Sequence, residues 1–299
     1  MKTLIAILAG LVLLFSLPAS AQFNNPNGIL FDSKGNLWLA NSGDNNVLEL
    51  SISISSCTAT TLNTITTGIS SPTRLAFDSS GNLWVTNLGN NTITVYDDLG
   101  AQGGQLLQTI TNSAISRPLG LAVDAYGDFY VADNSANSVV AFNIDDQLVE
   151  TLTEDESGFP FLAPGALVIH GQDIYGGFGP CSEEARSKSS CDNAVIGYNV
   201  GEFLTGNPKE KAGPYSAPNQ TGPTGVAFDK KNNVYVSYYT TPSWVKYTAS
   251  GQEVFEVQNG VNGPEGIQLD KKGNVYVSNS AGNNITTYNS KGTLTCTIN

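Results

Sequence analysis

A short segment that begins with proline recurs six times along the chain, and this repeat limits the possible folds more than any other feature. The prolines are spaced 46, 46, 46, 59 and 41 residues apart. The six copies read PNGILFDSKGNLWLAN (26–41), PTRLAFDSSGNLWVTN (72–87), PLGLAVDAYGDFYVAD (118–133), PGALVIHGQDIYGGF (164–178), PTGVAFDKKNNVYVSY (223–238) and PEGIQLDKKGNVYVSN (264–279). Self-similarity at such a period indicates an array in which each copy is one structural unit.

Each copy has the hydrophobic pattern of β-strands. Apolar residues alternate on both sides of an Asp-x-x-Gly-Asn turn such as 78–82, as expected for two half-buried strands joined by a hairpin. A third run follows, for example 91–97, and several copies close with a fourth, for example 105–111. The sequence therefore predicts an all-β fold, a six-bladed β-propeller of four-stranded antiparallel blades.

The N-terminal segment and the net charge of the chain bear on where the protein acts. Residues 1–21 combine Lys2, an apolar run and small residues before Gln22, as a secretory signal peptide does. The expectation is a signal peptide over 1–21 and a propeller over 22–299, secreted or periplasmic, with no membrane span. A net charge of −12 disfavours binding to nucleic acid.

Four cysteines suit an exported protein that contains disulfides. Cys181 and Cys191 lie close in sequence within an insertion in the fourth copy, which predicts that they pair. Cys57 and Cys296 would then form a clasp between the first and last blades, although a bond from Cys57 to either of the other two stays open.

The motif Pro-x-Gly-φ-x-φ-Asp, followed by Gly-Asn-φ-Trp/Tyr-Val-x-Asn/Asp, resembles the NHL repeat of six-bladed propellers. The resemblance covers residues 26–299 and implies the fold rather than the function, because NHL-type propellers include both binding modules and enzymes.

Most recurrent polar and aromatic positions have a structural interpretation. The aspartates of the hairpin turns are expected to cap nearby backbone N–H groups. The polar residues that end the second strand of four copies are expected to make local hydrogen bonds. The mid-strand aromatic residues are expected to pack between blades. These three groups are Asp32, Asp78, Asp124, Asp229 and Asp270; Asn41, Asn87, Asp133 and Asn279; and Trp38, Trp84, Tyr130, Tyr175, Tyr235 and Tyr276.

The x position of Pro-x-Gly varies between copies, as a ligand site on a uniform scaffold would. Six such side chains are expected to meet at one mouth of the central channel: Asn27, Thr73, Leu119, Gly165, Thr224 and Glu265. A solvent-exposed position free of constraint would vary in the same way.

The chain also resembles the regucalcin/gluconolactonase group of metal-dependent propellers, which implies a divalent cation such as calcium at the mouth. Asn27 and Glu265 match that context, although calcium prefers about six to eight oxygen ligands and the ring offers few. Arg74, which replaces glycine in the second copy, would bind an anionic ligand or pair with Glu265. The lone His170 sits at a turn, so the chain departs from the histidine-containing site of virginiamycin-lyase-like propellers.

The expected function is non-catalytic binding of a protein, peptide or carbohydrate at this mouth. The candidate ligand-binding residues are Glu265, Asn27, Arg74, Thr73, Thr224, Tyr238, Tyr239 and Trp244. The three aromatic residues are interpreted as exposed beside the mouth, or alternatively as packed against the insertion. The alternative function is a metal-dependent hydrolase or lactonase, and a structural role in the cell envelope is a third.

Overall fold

A computed structural model describes residues 22–97, 104–154, 158, 160–179, 194–206, 208–216 and 220–299. The expected signal peptide, residues 1–21, lies outside the described residues. Within them, the strands form six antiparallel sheets of four strands each, so the prediction of a six-bladed β-propeller is confirmed. Among the described segments, no helix combines the length and the hydrophobicity that a membrane span requires.

The strands of each blade follow one another in sequence, and the first strand of each lies nearest the channel. Blade 1 contains β1 (Pro26–Phe31), β2 (Leu37–Asn41), β3 (Asn46–Ser53) and β4 (Thr58–Ile65). Blade 2 contains β5 (Pro72–Phe77), β6 (Leu83–Asn87), β7 (Thr92–Tyr96) and β8 (Leu106–Ile110). Blade 3 contains β9 (Pro118–Val123), β10 (Phe129–Asp133), β11 (Ser138–Phe142) and β12 (Leu148–Leu152).

Blades 4 to 6 complete the ring. Blade 4 contains β13 (Leu167–His170), β14 (Asp173–Gly177), β15 (Val195–Asn199) and β16 (Glu210–Tyr215). Blade 5 contains β17 (Pro223–Phe228), β18 (Val234–Tyr238), β19 (Ser243–Tyr247) and β20 (Glu253–Val257). Blade 6 contains β21 (Pro264–Leu269), β22 (Val275–Asn279), β23 (Asn284–Tyr288) and β24 (Leu294–Ile298). Two single turns of helix, Ser42–Asp44 and Val200–Phe203, lie in connections.

The hairpin between the first two strands of a blade is fixed by its aspartate, as the sequence predicts. The Asp78 carboxylate accepts hydrogen bonds from the backbone N–H groups of Ser80 and Asn82, both at 2.9 Å. The carboxylates of the other four turn aspartates accept the equivalent bond from the residue four positions later. These turns define one end of the ring, called here the far end.

The apolar core consists of clusters between neighbouring blades. Trp38 of blade 1 packs with Leu75, Val85 and Tyr96 of blade 2. The recurrent aromatic residue of each later blade packs in the same way against the next blade, and Tyr276 of blade 6 packs against blade 1. The predicted packing role of these residues is confirmed, and it explains why a large aromatic side chain recurs at one position.

The polar residue that ends the second strand holds the loop entering its own blade. Asn87 accepts a hydrogen bond from the backbone N–H of Ser70 at 3.0 Å, and Asn279 accepts one from Asn262 at 3.0 Å. Blades 1 and 3 contain the equivalent contact. The prediction of local bonding is confirmed, and these contacts fix the loops at the end of the ring opposite the hairpin turns.

The ring closes between blades 1 and 6 without exchange of a strand. The N–H of Asn25 donates to Asn283 at 2.7 Å, and Lys271 Nζ donates to the carbonyl of Ser33 at 2.8 Å. Cys57 and Cys296 form a disulfide with Cα atoms 5.4 Å apart. Cys57 lies in the turn between β3 and β4, and Cys296 lies on β24. The structure therefore places the clasp where the sequence suggested it, whereas Cys181 and Cys191 lie outside the described residues.

Candidate functional site

The predicted ring of variable residues surrounds one cavity. Asn27, Thr73, Leu119, Gly165, Thr224 and Glu265 all line a cavity of about 740 Å³ at the end of the ring opposite the hairpin turns. This cavity is called here the mouth. Its volume lies within the range of roughly 300–1,000 Å³ that is typical of ligand pockets.

An irregularity at the start of the innermost strands aims these side chains inward. The pairing register shifts between Pro26 and Ile29 in blade 1 and between Pro264 and Ile267 in blade 6, so that Asn27 and Glu265 sit within bulges. Bulges redirect side chains and recur near functional sites. The glycine that follows is required by close approach, since a Cβ at Gly28 would lie 2.6 Å from the carbonyl oxygen of Thr73.

Arg74 departs from this glycine pattern, and its guanidinium forms the floor of the mouth. Nη1 donates to Oδ1 of Asn27 at 3.3 Å and to the carbonyl of Thr73 at 3.0 Å. Nη2 donates to the carbonyl of Thr224 and to Oε2 of Glu265, the latter at 3.3 Å. One side chain thus joins blades 1, 2, 5 and 6 across the channel.

Arg74 and Glu265 form an ion pair with little solvent contact, because their side chains are 12% and 18% exposed. Burial raises the pKa of the Glu265 carboxyl, and the neighbouring Arg74 acts in the opposite direction without cancelling the effect. The pairing is one of the two roles that the sequence suggested for Arg74.

The threonine hydroxyls of the ring donate hydrogen bonds to backbone carbonyl groups of the protein. Thr73 Oγ1 donates to the carbonyl of Pro118 at 3.1 Å, and Thr224 Oγ1 donates to the carbonyl of Pro264 at 2.8 Å. Each bond links a blade to the next one. Because these hydroxyl protons are used within the ring, the two threonines contribute mainly to its geometry.

Two of the three candidate aromatic residues are buried, so of the two interpretations left open by the sequence, exposure beside the mouth was wrong for them. Tyr238 is fully buried, and its hydroxyl contacts that of Tyr247 at 2.8 Å. Trp244 is also fully buried and packs edge-on against Tyr288 at a centroid distance of 5.3 Å. The physical reason is that β18 extends through Tyr238 and β19 begins at Ser243, so both side chains point into inter-blade clusters.

Tyr239 is the aromatic residue that the structure places at the mouth. It follows the last residue of β18, is 43% exposed and lines the mouth. His170, by contrast, lies at the far end, where it stacks on Phe228 at 4.1 Å and contacts Asn232 at 3.0 Å. The structure thus gives His170 a structural role at a turn.

Sequence reasoning missed Arg117 and Asn134, which also line the mouth. Arg117 directly precedes the proline of blade 3, and its side chain is exposed. The residue before the proline also varies between copies, and four of these six residues line the mouth, so comparing this position across the copies would have found Arg117. The residues at this position are Asn25, Ser71, Arg117, Ala163, Gly222 and Gly263.

The mouth does not fit the calcium ion that the gluconolactonase resemblance implies. Calcium needs about six to eight oxygen ligands, several of them carboxylates. Oxygen atoms of Asn27 and Glu265 already accept hydrogen bonds from the Arg74 guanidinium, a cation that would repel a second cation. In the part of the chain that the structure describes, no group of three or more His, Cys, Asp and Glu side chains is arranged to hold a metal.

Comparison with known proteins establishes the fold and no more. No protein-family model and no curated protein sequence matches the chain. Among solved structures, virginiamycin B lyase from Staphylococcus aureus is similar with a TM-score of 0.64 and 15% identity, over 92% of this chain and 86% of that chain. The chain is a six-bladed β-propeller.

Two further likenesses come from proteins with different roles. A chain of a nidogen/laminin complex is similar with a TM-score of 0.65 and 14% identity, over 88% of this chain and 92% of that chain. A gluconolactonase from Xanthomonas campestris is similar with a TM-score of 0.64 and 14% identity, over 87% of this chain and 84% of that chain. The fold implied by the NHL-type repeat is thus confirmed, and it is shared by binding proteins and enzymes alike.

Proposed function

We propose that this propeller is a non-catalytic binding module that holds a peptide, a protein segment or a carbohydrate in the mouth. The observation that carries the proposal is the Arg74 guanidinium, which bonds to Asn27 and Glu265 at the floor. The residues that a metal-dependent enzyme would use are thereby committed to an internal ion pair. What remains accessible above the floor suits recognition rather than bond cleavage.

The accessible groups of the mouth combine polar and aromatic character. Arg117 and Tyr239 are both exposed, and Asn134 and Leu119 lie on the same cavity wall. A tyrosine supplies a rigid apolar surface with a polar tip, and arginine supplies several donors in a fixed fork. Such a set matches the hydroxyl, carbonyl and carboxylate groups of peptides and sugars.

We place this binding outside the cytoplasm, with residues 22–299 acting after removal of residues 1–21. The Cys57–Cys296 disulfide supports this location because disulfides persist in oxidising compartments. The proposed partners do not include nucleic acid, because the net charge of −12 repels a phosphate backbone.

The test is a screen of the purified protein against arrays of oligosaccharides and of peptides, followed by titration of each hit. Tyr239→Ala and Arg117→Gln are expected to weaken binding by about tenfold each, as loss of a central aromatic or arginine contact does. Tyr126→Ala is the matched control, since Tyr126 is 82% exposed and lies at the far end. Equal binding by all three variants, or no hit on either array, would overturn the proposal.

The second candidate function is a metal-dependent hydrolase or lactonase. It rests on Glu265 and Asn27, which lie in adjacent blades at the floor of the mouth, and it requires a metal ion to displace the Arg74 guanidinium from both. Calorimetric titration with calcium separates the two functions. A heat of binding in the wild type that disappears in Glu265→Ala, together with cleavage of a lactone or ester panel, would support the enzyme and refute the binding module.

A further inference from the structure

The far end of blades 5 and 6 bears a concentration of lysines. Their hairpin turns read DKKNN (229–233) and DKKGN (270–274), so each blade has two consecutive lysines at the same turn positions. The two backbones are held alike, because Lys231 N–H donates to Asp229 at 2.8 Å and Lys272 N–H donates to Asp270 at 2.8 Å. The four lysines are therefore attached to two turns of the same backbone form.

The two lysines of each turn have different roles. The first one bridges to the next blade, since Lys230 Nζ donates to the carbonyl of Lys271 at 3.3 Å and Lys271 Nζ donates to the carbonyl of Ser33 at 2.8 Å. The second ones, Lys231 and Lys272, are exposed, and their ammonium groups make no hydrogen bond or ion pair with the described residues. Two ammonium groups are thus left available to a ligand.

These lysines line a groove of about 640 Å³ between blades 5 and 6, together with Lys246. The carboxylates on the same groove, Asp229 and Asp270, are engaged by the backbone N–H groups of their own turns. Lys246 also pairs with Asp229 at 3.4 Å. Five lysines and two aspartates line the groove, so it is locally positive on a chain whose net charge is −12.

The positive charge is not repeated in the corresponding groove between blades 1 and 2. The corresponding groove between blades 1 and 2 is lined by Asp32, Glu49 and Asp78 and only one lysine, Lys34. An extended anionic surface, whether a membrane or a nucleic-acid duplex, would reach these carboxylates as well. The pattern therefore favours a short anionic chain that fits within one groove.

We propose that the groove between blades 5 and 6 binds an acidic oligosaccharide, with carboxylate or sulfate groups repeated along a short chain. Lys230 and Lys231 lie on the turn of one blade and Lys271 and Lys272 on the turn of the next, so the lysines flank the groove from two blades, which suits several anions better than a single one. The half-buried side chain of Leu269 lines the groove and adds apolar surface against which a sugar ring can pack. This site is separate from the mouth, which lies at the opposite end of the ring.

The experiment compares the wild type with Lys231→Gln/Lys272→Gln by titration with oligogalacturonate and with a sulfated dextran oligomer at low ionic strength. Removal of two exposed ammonium groups is expected to weaken binding by about tenfold. Added salt is expected to weaken wild-type binding and to reduce the difference between the proteins, because ions screen exposed charges. The variant Lys209→Gln/Lys211→Gln, on blade 4, is the control with the same change in net charge.

Weaker binding by Lys231→Gln/Lys272→Gln than by the control would support the proposal, and the oligosaccharide that binds more strongly would then identify the anionic group. Equal affinity of the two double variants, or no binding of either oligosaccharide by the wild type, would overturn it. Tighter binding of single-stranded DNA or of phosphatidylserine vesicles would also overturn it. The substituted side chains are exposed, and thermal unfolding will verify that all variants fold. Because the mouth is untouched, the outcome is independent of the proposed ligand site there.

Discussion

Replacement of Arg74 by alanine removes a side chain that connects blades 1, 2, 5 and 6 across the channel. The change leaves the Glu265 carboxylate and Oδ1 of Asn27 without their guanidinium partner. Breaking a fully enclosed ion pair by removing one partner costs about 3–5 kcal/mol. Here the side chains are 12% and 18% exposed beside an open cavity, so water replaces part of the lost bonding. We expect the free energy of unfolding to fall by about 2–3 kcal/mol.

This loss depends on pH in a defined direction. Burial raises the pKa of Glu265 above its ordinary value, so the folded protein holds this proton more tightly than the unfolded chain does. Ionisation of Glu265 therefore costs stability as the pH rises through its folded-state pKa. Arg74 lowers that pKa, so its removal increases the cost. The destabilisation is greatest above the folded-state pKa and shrinks in acid, where Glu265 is protonated.

The assay is urea denaturation of both proteins at a mildly alkaline and a mildly acidic pH. Arg117→Ala is the control, because it removes an exposed arginine from the same mouth and is expected to change stability by less than about 0.5 kcal/mol. Adding Glu265→Gln to Arg74→Ala should recover part of the loss, since no unpaired carboxylate remains. A loss for Arg74→Ala as small as that of the control, or one independent of pH, would refute this account of the floor.

Three further perturbations test the ring. Cys57→Ser/Cys296→Ser should lower the free energy of unfolding by about 3–5 kcal/mol, since the disulfide closes a loop over a sequence separation of 239. Peptide mapping without reduction checks the pairing, and a bond from Cys57 to another cysteine would contradict it. Hydrogen bonds from backbone N–H groups outweigh burial and lower the pKa of Asp133, so the stability that its carboxylate contributes is present above the ordinary pKa of an aspartate and is lost as the pH falls through the lowered pKa. Asp133→Asn, which introduces the residue type of three other blades, should therefore lose less stability in acid than the wild type does. Identical acid-unfolding curves would count against this. Trp244→Ala should destabilise the fold by about 3–5 kcal/mol and Tyr239→Ala by less than about 0.5 kcal/mol in thermal unfolding, because the first side chain is buried and the second is exposed.

The fold could be predicted because the sequence contains the same structural pattern in several copies, one for each blade. Asp78 and its counterparts fix the hairpins, and Trp38 and its counterparts fill the gaps between blades. When a local signal recurs in six places, a weak or irregular copy such as blade 4 does not obscure the period.

The site was only partly predictable because it depends on the positions that do not repeat. The alignment placed Glu265, Asn27 and Arg74 on the mouth, but it did not show that the guanidinium would cross the channel. Tyr238 and Trp244 were misplaced because the exact end of β18 and the exact start of β19 decide whether these side chains face the core or the mouth. A shift of one residue reverses that orientation in a strand.

The closure without strand exchange makes every blade an uninterrupted stretch of sequence. Blade 1 runs from Pro26 to Ile65 and blade 6 from Pro264 to Ile298. The junction between these first and last blades, where the chain begins and ends, therefore has the same form as the junctions elsewhere in the ring. A gene in which the order of the blades is rotated would therefore encode the same ring, with its open seam moved to another junction. The disulfide would then join two blades in mid-chain, and the new seam would lack a covalent bond. Such permuted proteins would measure directly how much of the cohesion of a propeller resides in its seam.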